Sequence, residues 1–409
     1  MPPVPNRLFT LDSPNIEDFK QLCSQTTDKS TYPLSAAIDH NVPVYNASHF
    51  TPHDSAAAAA LQNEWHHILH SGPGIFVLKD MYAPSQYASV LDSANASFQR
   101  IIAHEASSSS QPKKGDHFSA TGRNDRIWNS FSKHGLDCPP SFLEYYSNPW
   151  LALVAESWLG PIYRVTAQVN VVKPGGAAQD PHRDYHLGFQ SADAAAAFPA
   201  TMHRASQFLT LQGAVAHSHM PPRSGPTRFL PFSQLYPPGY LAYRRLEFRE
   251  FFAEKYVAVP LALGDGVFFN PAVVHAAGAN ELSTTAGSTK LGEGEGQEFH
   301  RKANLLQISS GFGKAMESVD SVPLVDAVWN ILVDKYTLSG RRLTPELTCF
   351  VRAVADGYPF PTNLDKRPPA PSGMAPESEQ EIVFRGLAEG WDRERVVREL
   401  VGMRRESGA

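Results

Sequence analysis

The sequence predicts an antiparallel β-barrel or β-sandwich with helices packed around it. Short strand-like segments separated by turns run across residues 163–309, and helical segments lie on both sides of them along the chain. Hydrophobic residues make up 42% of the 409 residues and charged residues 19%. This composition is typical of a globular chain, and a chain of this length can bury a sizeable core.

The helices and strands are predicted from apolar periodicity. Residues 56–70, 151–159 and 379–405 carry apolar side chains at helical spacing. Polar and apolar side chains alternate from Thr166 to Val171, which is typical of a strand. The short apolar run at 75–78 follows a Gly-Pro-Gly turn and is predicted as a buried strand. Further strands are predicted at residues 208–216, 256–261, 266–270 and 304–309.

Three regions are predicted along the chain. Residues 1–54 have little periodicity and are expected to form an N-terminal arm, residues 55–320 the main β domain, and residues 321–409 a helical extension packed on the core. Within the β domain, residues 281–298 contain almost no apolar side chains. They predict a long flexible insertion. We expect it to act as a lid because both of its anchors adjoin candidate site residues. The alternative is a passive surface insertion, since long loops are thermodynamically tolerated.

The charge and cysteine content exclude several classes of protein. The net charge of −5 and pI near 6.3 do not favour a nucleic-acid partner. No apolar run approaches the roughly 18 residues that a membrane span needs, and no secretory signal is visible. Cys23, Cys138 and Cys349 are too widely spaced to indicate a disulfide framework or a zinc cluster. We therefore expect a cytoplasmic protein with a small-molecule substrate, and the sequence does not indicate its oligomeric state.

One segment, Gln179 to Gln190, has the composition of a metal site. In an extended chain His182 and Asp184 share a face, with Arg183 opposite. One imidazole and one carboxylate are two thirds of the two-histidine, one-carboxylate set that holds non-haem Fe(II). His186 lies on the same face, so spacing alone does not choose between His182 with Asp184 and Asp184 with His186. An apolar strand that ends at His275 offers the third ligand.

Several segments in this order resemble the phytanoyl-CoA dioxygenase-like family of Fe(II)/2-oxoglutarate-dependent oxygenases. The resemblance covers roughly residues 61–318. It rests on QVNVVKPGG at 168–176 leading into the His182 triplet, on GPTRFLPFS at 225–233, on Gly264-Asp265 before the strand that ends at His275, and on Arg301 opening RKANLLQIS.

The resemblance implies a fold, cofactors and ligands. The fold would be mainly β with flanking helices, built on a double-stranded β-helix (jelly-roll, cupin-like) core. Iron would be bound by His182, Asp184 and His275, with 2-oxoglutarate and O2 as co-substrates. Arg301 would hold the far carboxylate of 2-oxoglutarate, because a guanidinium fork matches a carboxylate. Ala277 stands where relatives often carry a hydroxyl, and the candidates to compensate for it include three amides, Gln179, Gln168 and Asn170.

The resemblance also implies a reaction. Asp184 favours oxygenation over halogenation, since related halogenases lack the acidic ligand. The expected enzyme is a dioxygenase that hydroxylates a small organic substrate, or desaturates or epoxidises it, and releases succinate and CO2. The alternatives are a jelly-roll that binds metal or a small molecule without turnover, and a metal-dependent enzyme of another reaction type on the same barrel.

Other polar and aromatic residues are assigned by their positions. His217 is expected to be a structural histidine, and Arg126 is expected in a solvated basic loop. There are four candidate substrate contacts. Tyr185, His186 and Phe189 follow the ligand pair, and Gln212 lies on the strand predicted at 208–216.

Overall fold

The computed structural model describes residues 4–108, 124–282 and 299–408. The predicted insertion at 281–298 falls almost wholly outside these ranges, so its structure and its role as a lid stay predictions. Within the described ranges, no helix has the length and apolar character that crossing a membrane requires.

The strands of the described ranges form two sheets. Eight strands lie in the order β1-β2-β3-β9-β6-β11-β5-β4, and three lie in the order β10-β7-β8. Neighbouring strands are antiparallel except β2 and β3. The strands are β1 (Ala37–Asp39), β2 (Val42–Asn46), β3 (Ile75–Lys79), β4 (Asn124–Ile127), β5 (Tyr163–Val172), β6 (Thr210–Ala216), β7 (Thr227–Leu230), β8 (Val257–Ala258), β9 (Gly266–Phe269), β10 (Val274–Ala277) and β11 (Arg301–Ser310).

Helices surround these sheets. They are α1 (Ile16–Cys23), α2 (Ser55–His70), α3 (Pro84–Ser108), α4 (Ser130–Asp137), α5 (Pro139–Tyr146), α6 (Pro149–Leu159), α7 (Ala192–Ala196), α8 (Ala200–Phe208), α9 (Gly239–Ala242), α10 (Leu246–Lys255), α11 (Ser321–Leu338), α12 (Pro345–Val354), α13 (Glu379–Glu389) and α14 (Arg393–Ser407). The predicted β core with flanking helices is confirmed. The eight-stranded sheet stays open, so the core is a two-sheet jelly-roll and not a closed barrel.

The two faces of the eight-stranded sheet have different surroundings. Side chains at directly paired positions share a face. On one face, Phe76, Phe268 and Leu306 pack in a large apolar core with the helices. On the opposite face, Val77 and Val267 pack with residues of the three-stranded sheet. The candidate site lies on this second face, which we call the inner face.

The predicted strands are confirmed, and three of them are shorter in the structure, with β9 ending one residue early at Phe269. The run predicted at 208–216 begins with the end of α8, and pairing starts at Thr210. The run predicted at 256–261 pairs only over Val257–Ala258. Pro260 has no N–H to donate to a neighbouring strand, which limits the pairing there. Leu261 forms only an isolated bridge to Met220.

The two ends of the chain differ from the sequence expectation to different extents. The helical spacing at 379–405 corresponds to two helices, α13 and α14, whose Val383 and Leu400 are fully buried in the large core. The region predicted as an irregular arm contains α1 and also β1 and β2, which extend the eight-stranded sheet. β1 has only three residues, and β2 contains Pro43, a residue that argues against a strand in the sequence.

Candidate metal centre

A cavity of about 90 Å³ lies between the two sheets. Both sheets contribute to its wall, which contains His182, Asp184, His275 and Arg301. Four amide side chains also line it: Gln168, Asn170, Gln179 and Gln212. The structure therefore brings most of the sequence-predicted site residues to one place.

Backbone pairing brings the two histidines together. His182 and His275 form an isolated antiparallel bridge, in which each N–H donates to the other's carbonyl at 2.9 and 3.0 Å. Directly opposed residues of such a pair have neighbouring side chains. The two imidazole centroids accordingly lie 4.4 Å apart, although 93 residues separate these histidines in the sequence.

Asp184 completes a group of three potential metal ligands. Its Oδ2 lies 3.9 Å from His182 Nε2 and 3.7 Å from His275 Nε2. One donor atom from each of the three residues lies within 4.8 Å of the others, and within the described residues no other group of three such side chains meets this criterion. Two imidazoles and one carboxylate are the donor set that non-haem Fe(II) oxygenases use, so these residues fit iron.

Both imidazoles are oriented with Nε2 towards this group. His182 Nδ1 lies 2.8 Å from the carbonyl of Asp180, and His275 Nδ1 lies 2.9 Å from the carbonyl of Val273. A carbonyl only accepts hydrogen bonds, so each Nδ1 donates and each Nε2 keeps its lone pair for a metal. Burial, and then the neighbouring His182, lower the pKa of His275 to about 4. His275 is therefore neutral at neutral pH, which is the form that binds a metal.

Arg183 points away from the metal group, as the alternation predicted. Its guanidinium is fully buried and donates to the carbonyl of Ser233. It also lies over the ring of Tyr240, 5.4 Å from the centroid. A Cβ at Gly239 would fall about 2 Å from the guanidinium, so only glycine leaves it room. These contacts hold the chain between the two candidate ligands in place.

Arg301 lies at the start of β11 and is buried, with 2% of its surface exposed. It faces the cavity from the inner face, on the same side of the strand as Leu305. Its neighbour Lys302 is half-buried and does not line the cavity. A buried guanidinium beside a two-histidine, one-carboxylate group suits a ligand that carries a carboxylate.

The three amides predicted to assist the cofactor have different contacts. Gln168 Oε1 accepts a hydrogen bond from Arg126 Nη1 at 2.7 Å. Gln179 Oε1 accepts one from the backbone N–H of Ala277 at 3.1 Å. Asn170 is buried on the inner face opposite Ala303. All three line the cavity, and their role towards a cofactor stays a prediction.

The four predicted substrate contacts are placed in two ways. Phe189 and Gln212 line the cavity. The hydroxyl of the buried Tyr185 donates to Met316 Sδ at 2.9 Å, and His186 is half-buried. Neither Tyr185 nor His186 belongs to the cavity wall. The cavity therefore does not support a substrate contact of these two residues, which stays a prediction.

Sequence reasoning missed several residues of the wall. Arg126 was expected in a solvated loop, but it lies on β4, pairs with Asn170 and lines the cavity. Gln307 and Met316 also line it. The available signal was the alternation of Arg301, Leu305 and Gln307 on one face of β11. β4 has only four residues, so its sequence carried no comparable signal.

Comparisons with known proteins give one family and several related folds. The family model described as phytanoyl-CoA dioxygenase (PhyH) matches residues 72–285, which is more than half of the chain. The match includes His182, Asp184 and His275 and ends before Arg301. A sequence comparison with curated proteins gives no match.

Three solved structures illustrate the structural likenesses. The non-heme alpha-ketoglutarate-dependent epimerase SnoN from nogalamycin biosynthesis is 20% identical with a TM-score of 0.42, over 63% of this chain and 82% of that chain. The carbocyclase SnoK from the same biosynthesis is 17% identical with a TM-score of 0.43, over 62% and 86%. AviO1 from Streptomyces viridochromogenes Tue57 is 16% identical with a TM-score of 0.41, over 65% and 98%. Likenesses of this size transfer neither a reaction nor a substrate to this chain.

Proposed function

Because the chain belongs to the phytanoyl-CoA dioxygenase family and is therefore an Fe(II)- and 2-oxoglutarate-dependent oxygenase, we propose that it hydroxylates a small organic substrate in the cavity beside His182, Asp184 and His275. The observation that carries this proposal is the convergence of these three side chains on one wall of a cavity that also contains Arg301. Desaturation and epoxidation are the other outcomes that the same cofactors allow.

Each of these residues has a proposed role. His182 and His275 bind Fe(II) through Nε2, and Asp184 binds it through a carboxylate oxygen. Arg301 binds the far carboxylate of 2-oxoglutarate with its planar fork. When bound, iron supplies the activation of O2 with 2-oxoglutarate, which yields succinate and CO2 and oxidises a C–H bond of the substrate.

The surrounding residues prepare this site. The carbonyls of Asp180 and Val273 fix the tautomers of the two imidazoles. Burial of His275 and Arg301 keeps water away from one side of the site, where charge interactions are therefore stronger. Phe189 is half-exposed at the cavity wall and is the apolar side chain best placed to meet an entering substrate.

The cavity wall indicates the general chemical character of the substrate but not its identity. The cavity wall combines amides and guanidinium groups with Phe189, Phe269 and Leu305, so it suits a substrate with both polar and apolar parts. A CoA-linked substrate is not required by any of these residues. The cytoplasm stays the predicted location, and a small molecule the predicted partner.

The proposed function is tested by succinate formation. Iron-loaded protein is incubated with 2-oxoglutarate, with and without O2, and succinate is measured. We expect O2-dependent succinate that disappears when iron is removed. Stoichiometric iron binding with no 2-oxoglutarate consumption under any substrate tried would favour the alternative of a jelly-roll that binds metal without turnover.

The role of Arg301 is tested in the same assay with a matched control. Arg301→Met removes the fork, and we expect KM for 2-oxoglutarate to rise ~10–100-fold, because a hydrogen bond to a charged group contributes about 1.5–3 kcal/mol. Lys302→Met removes a neighbouring cation that does not line the cavity, and KM should stay within about twofold. Equal KM values for the two variants would remove Arg301 from the cofactor site.

A further inference from the structure

Gln212 contacts the candidate metal ligand Asp184 directly. Its Nε2 donates to Asp184 Oδ2 at 2.8 Å. This is the same oxygen that lies 3.7 and 3.9 Å from Nε2 of His275 and His182. Gln212 itself is 6% exposed. A carboxylate only accepts hydrogen bonds, so the amide nitrogen must face Asp184.

The sheet fixes the position of Gln212. It lies in the middle of β6 and pairs with Phe269 of β9 on one side and with Gln307 of β11 on the other. Side chains at these paired positions share the inner face. Phe269 contacts the ring of His275, with centroids 4.7 Å apart. Two neighbouring strands therefore contact the candidate ligands: Gln212 of β6 contacts Asp184, and Phe269 of β9 contacts His275.

Asp184, by contrast, lies outside the strands, and its contacts divide into two kinds. Its backbone N–H donates to the carbonyl of Pro271 at 3.0 Å, and its backbone carbonyl accepts from the hydroxyl of Tyr240 at 3.2 Å. These contacts fix the main chain of Asp184 but leave its side-chain torsions free to rotate. Gln212 provides the hydrogen bond that restrains the carboxylate itself.

We propose that Gln212 is a positioning residue that holds the Asp184 carboxylate in the orientation needed to bind the metal. This inference rests on the proposed function, since it takes Asp184 as a ligand. A neutral amide suits the task. It restrains the carboxylate without the positive charge of Lys or Arg, which would compete with a divalent cation for the same oxygen. The role differs from the substrate contact expected from the sequence.

The test measures binding of Co(II), which prefers similar ligands to Fe(II), by the metal-free protein. Gln212→Met conserves the side-chain volume and removes the donor. We expect Co(II) affinity to fall ~10–100-fold, the range found when a partner of a metal ligand is removed. We also expect the visible spectrum of bound Co(II) to change, because the spectrum reports the arrangement of its ligands. A role limited to packing would leave this spectrum unchanged.

Gln307→Met is the matched control. Gln307 is the same residue type, equally buried and paired with Gln212 in register. Within the described part of the chain, its side chain makes no hydrogen bond to the candidate ligands. Its variant should bind Co(II) with the affinity and spectrum of the wild type. Gln212→Asn is a second variant that keeps an amide but falls short of Asp184, and it should also weaken Co(II) binding if Gln212→Met does not fold.

Asp184→Ala distinguishes the positioning role of Gln212 from the proposed function. Loss of Co(II) binding in Asp184→Ala, together with wild-type affinity and spectrum in both Gln212 variants, would overturn the positioning role and leave the proposed function intact. Wild-type affinity in Asp184→Ala would overturn the proposed function as well. Equal weakening by Gln212→Met and Gln307→Met would also contradict the proposal, because it would indicate a general effect of the cavity wall.

Discussion

His275 and His217 lie on opposite sides of the eight-stranded sheet and have similar electrostatics but different contacts. Burial lowers the pKa of His275 to about 4 and that of His217 to about 3. Both nitrogens of His217 lie within hydrogen-bond distance of a partner, Tyr145 Oη at 2.9 Å and Asn95 Oδ1 at 3.0 Å. His275 uses only Nδ1 in this way and turns Nε2 towards Asp184. Burial and a lowered pKa therefore do not distinguish the two histidines. The feature that makes His275 a candidate ligand is its second nitrogen, which is directed at Asp184.

The largest expected effect comes from removing the carboxylate beside His275. Asp184→Ala should abolish iron binding and succinate formation, because it removes the anionic side chain of the group. His186→Ala should keep both, since His186 lies outside the group of three. Iron content after dialysis measures the difference. Loss of iron in His186→Ala but not in His182→Ala would contradict the assignment of His182 as an iron ligand.

The next largest effects are expected to be opposite for the two histidines: replacing His217 should lower stability, and replacing His275 should abolish iron binding. His217→Leu leaves the buried Tyr145 Oη and the partly buried Asn95 Oδ1 without this partner, which should cost about 1–3 kcal/mol of unfolding free energy. Iron affinity should not change. His275→Leu should lose iron while the metal-free protein keeps most of its stability. Urea unfolding of the metal-free proteins and iron titration measure both outcomes. Loss of iron by His217→Leu in a folded protein would contradict the comparison.

His217 and His134, a buried residue of α4, also predict how stability depends on pH. Burial lowers the pKa of both His217 and His134 to about 3, from 6.5. Between these values the unfolded chain binds protons that the folded chain does not. The free energy of unfolding should therefore be full above pH 6.5 and fall as the pH falls towards 3, by up to about 1.4 kcal/mol per pH unit for each histidine.

His217→Gln should make this pH dependence shallower by about one proton's contribution. The measurement is urea unfolding of the metal-free protein across that pH window, with the wild type as control. An unchanged slope would show that His217 titrates alike in the folded and unfolded chains.

The smallest expected effect comes from Tyr145→Phe, which removes the hydroxyl next to His217 Nε2. We expect a loss of about 0.5–1.5 kcal/mol in unfolding free energy and no additional metal binding. The freed nitrogen has no carboxylate and second imidazole arranged around it among the described residues. A second bound Co(II) in this variant would show that a free imidazole nitrogen is enough for metal binding, without a carboxylate and a second imidazole around it.

Much of the site could be predicted from the sequence because its signals are local. The alternation at 166–171 indicated β5, and the His182 triplet placed two potential ligands on one face. The choice between His182 and His186 could not be made from spacing, because both lie two residues from Asp184. In the structure the bridge between His182 and His275 brings His182 beside His275, and this bridge depends on a pairing over 93 residues.

Other features escaped the sequence because they depend on tertiary contacts. β1 and β4, the edge strands of the large sheet, are short and have no apolar run, and β2 next to β1 contains Pro43. Gln212 appears in the sequence as one polar residue in an apolar strand. Its hydrogen bond to Asp184 requires the crossing of two segments 28 residues apart. Arg126 was assigned to solvent because nothing local pairs it with Asn170.

The most direct test of the central claim is an anaerobic titration of the metal-free protein with Fe(II) in the presence of 2-oxoglutarate, followed by visible charge-transfer absorption. The claim is that one site holds iron through His182, Asp184 and His275 and holds 2-oxoglutarate through Arg301. We expect saturation at one iron per chain in the wild type, no absorption band in Asp184→Ala, and a band that needs more 2-oxoglutarate in Arg301→Met. An undiminished band in Asp184→Ala, at the wild-type iron affinity, would contradict the account.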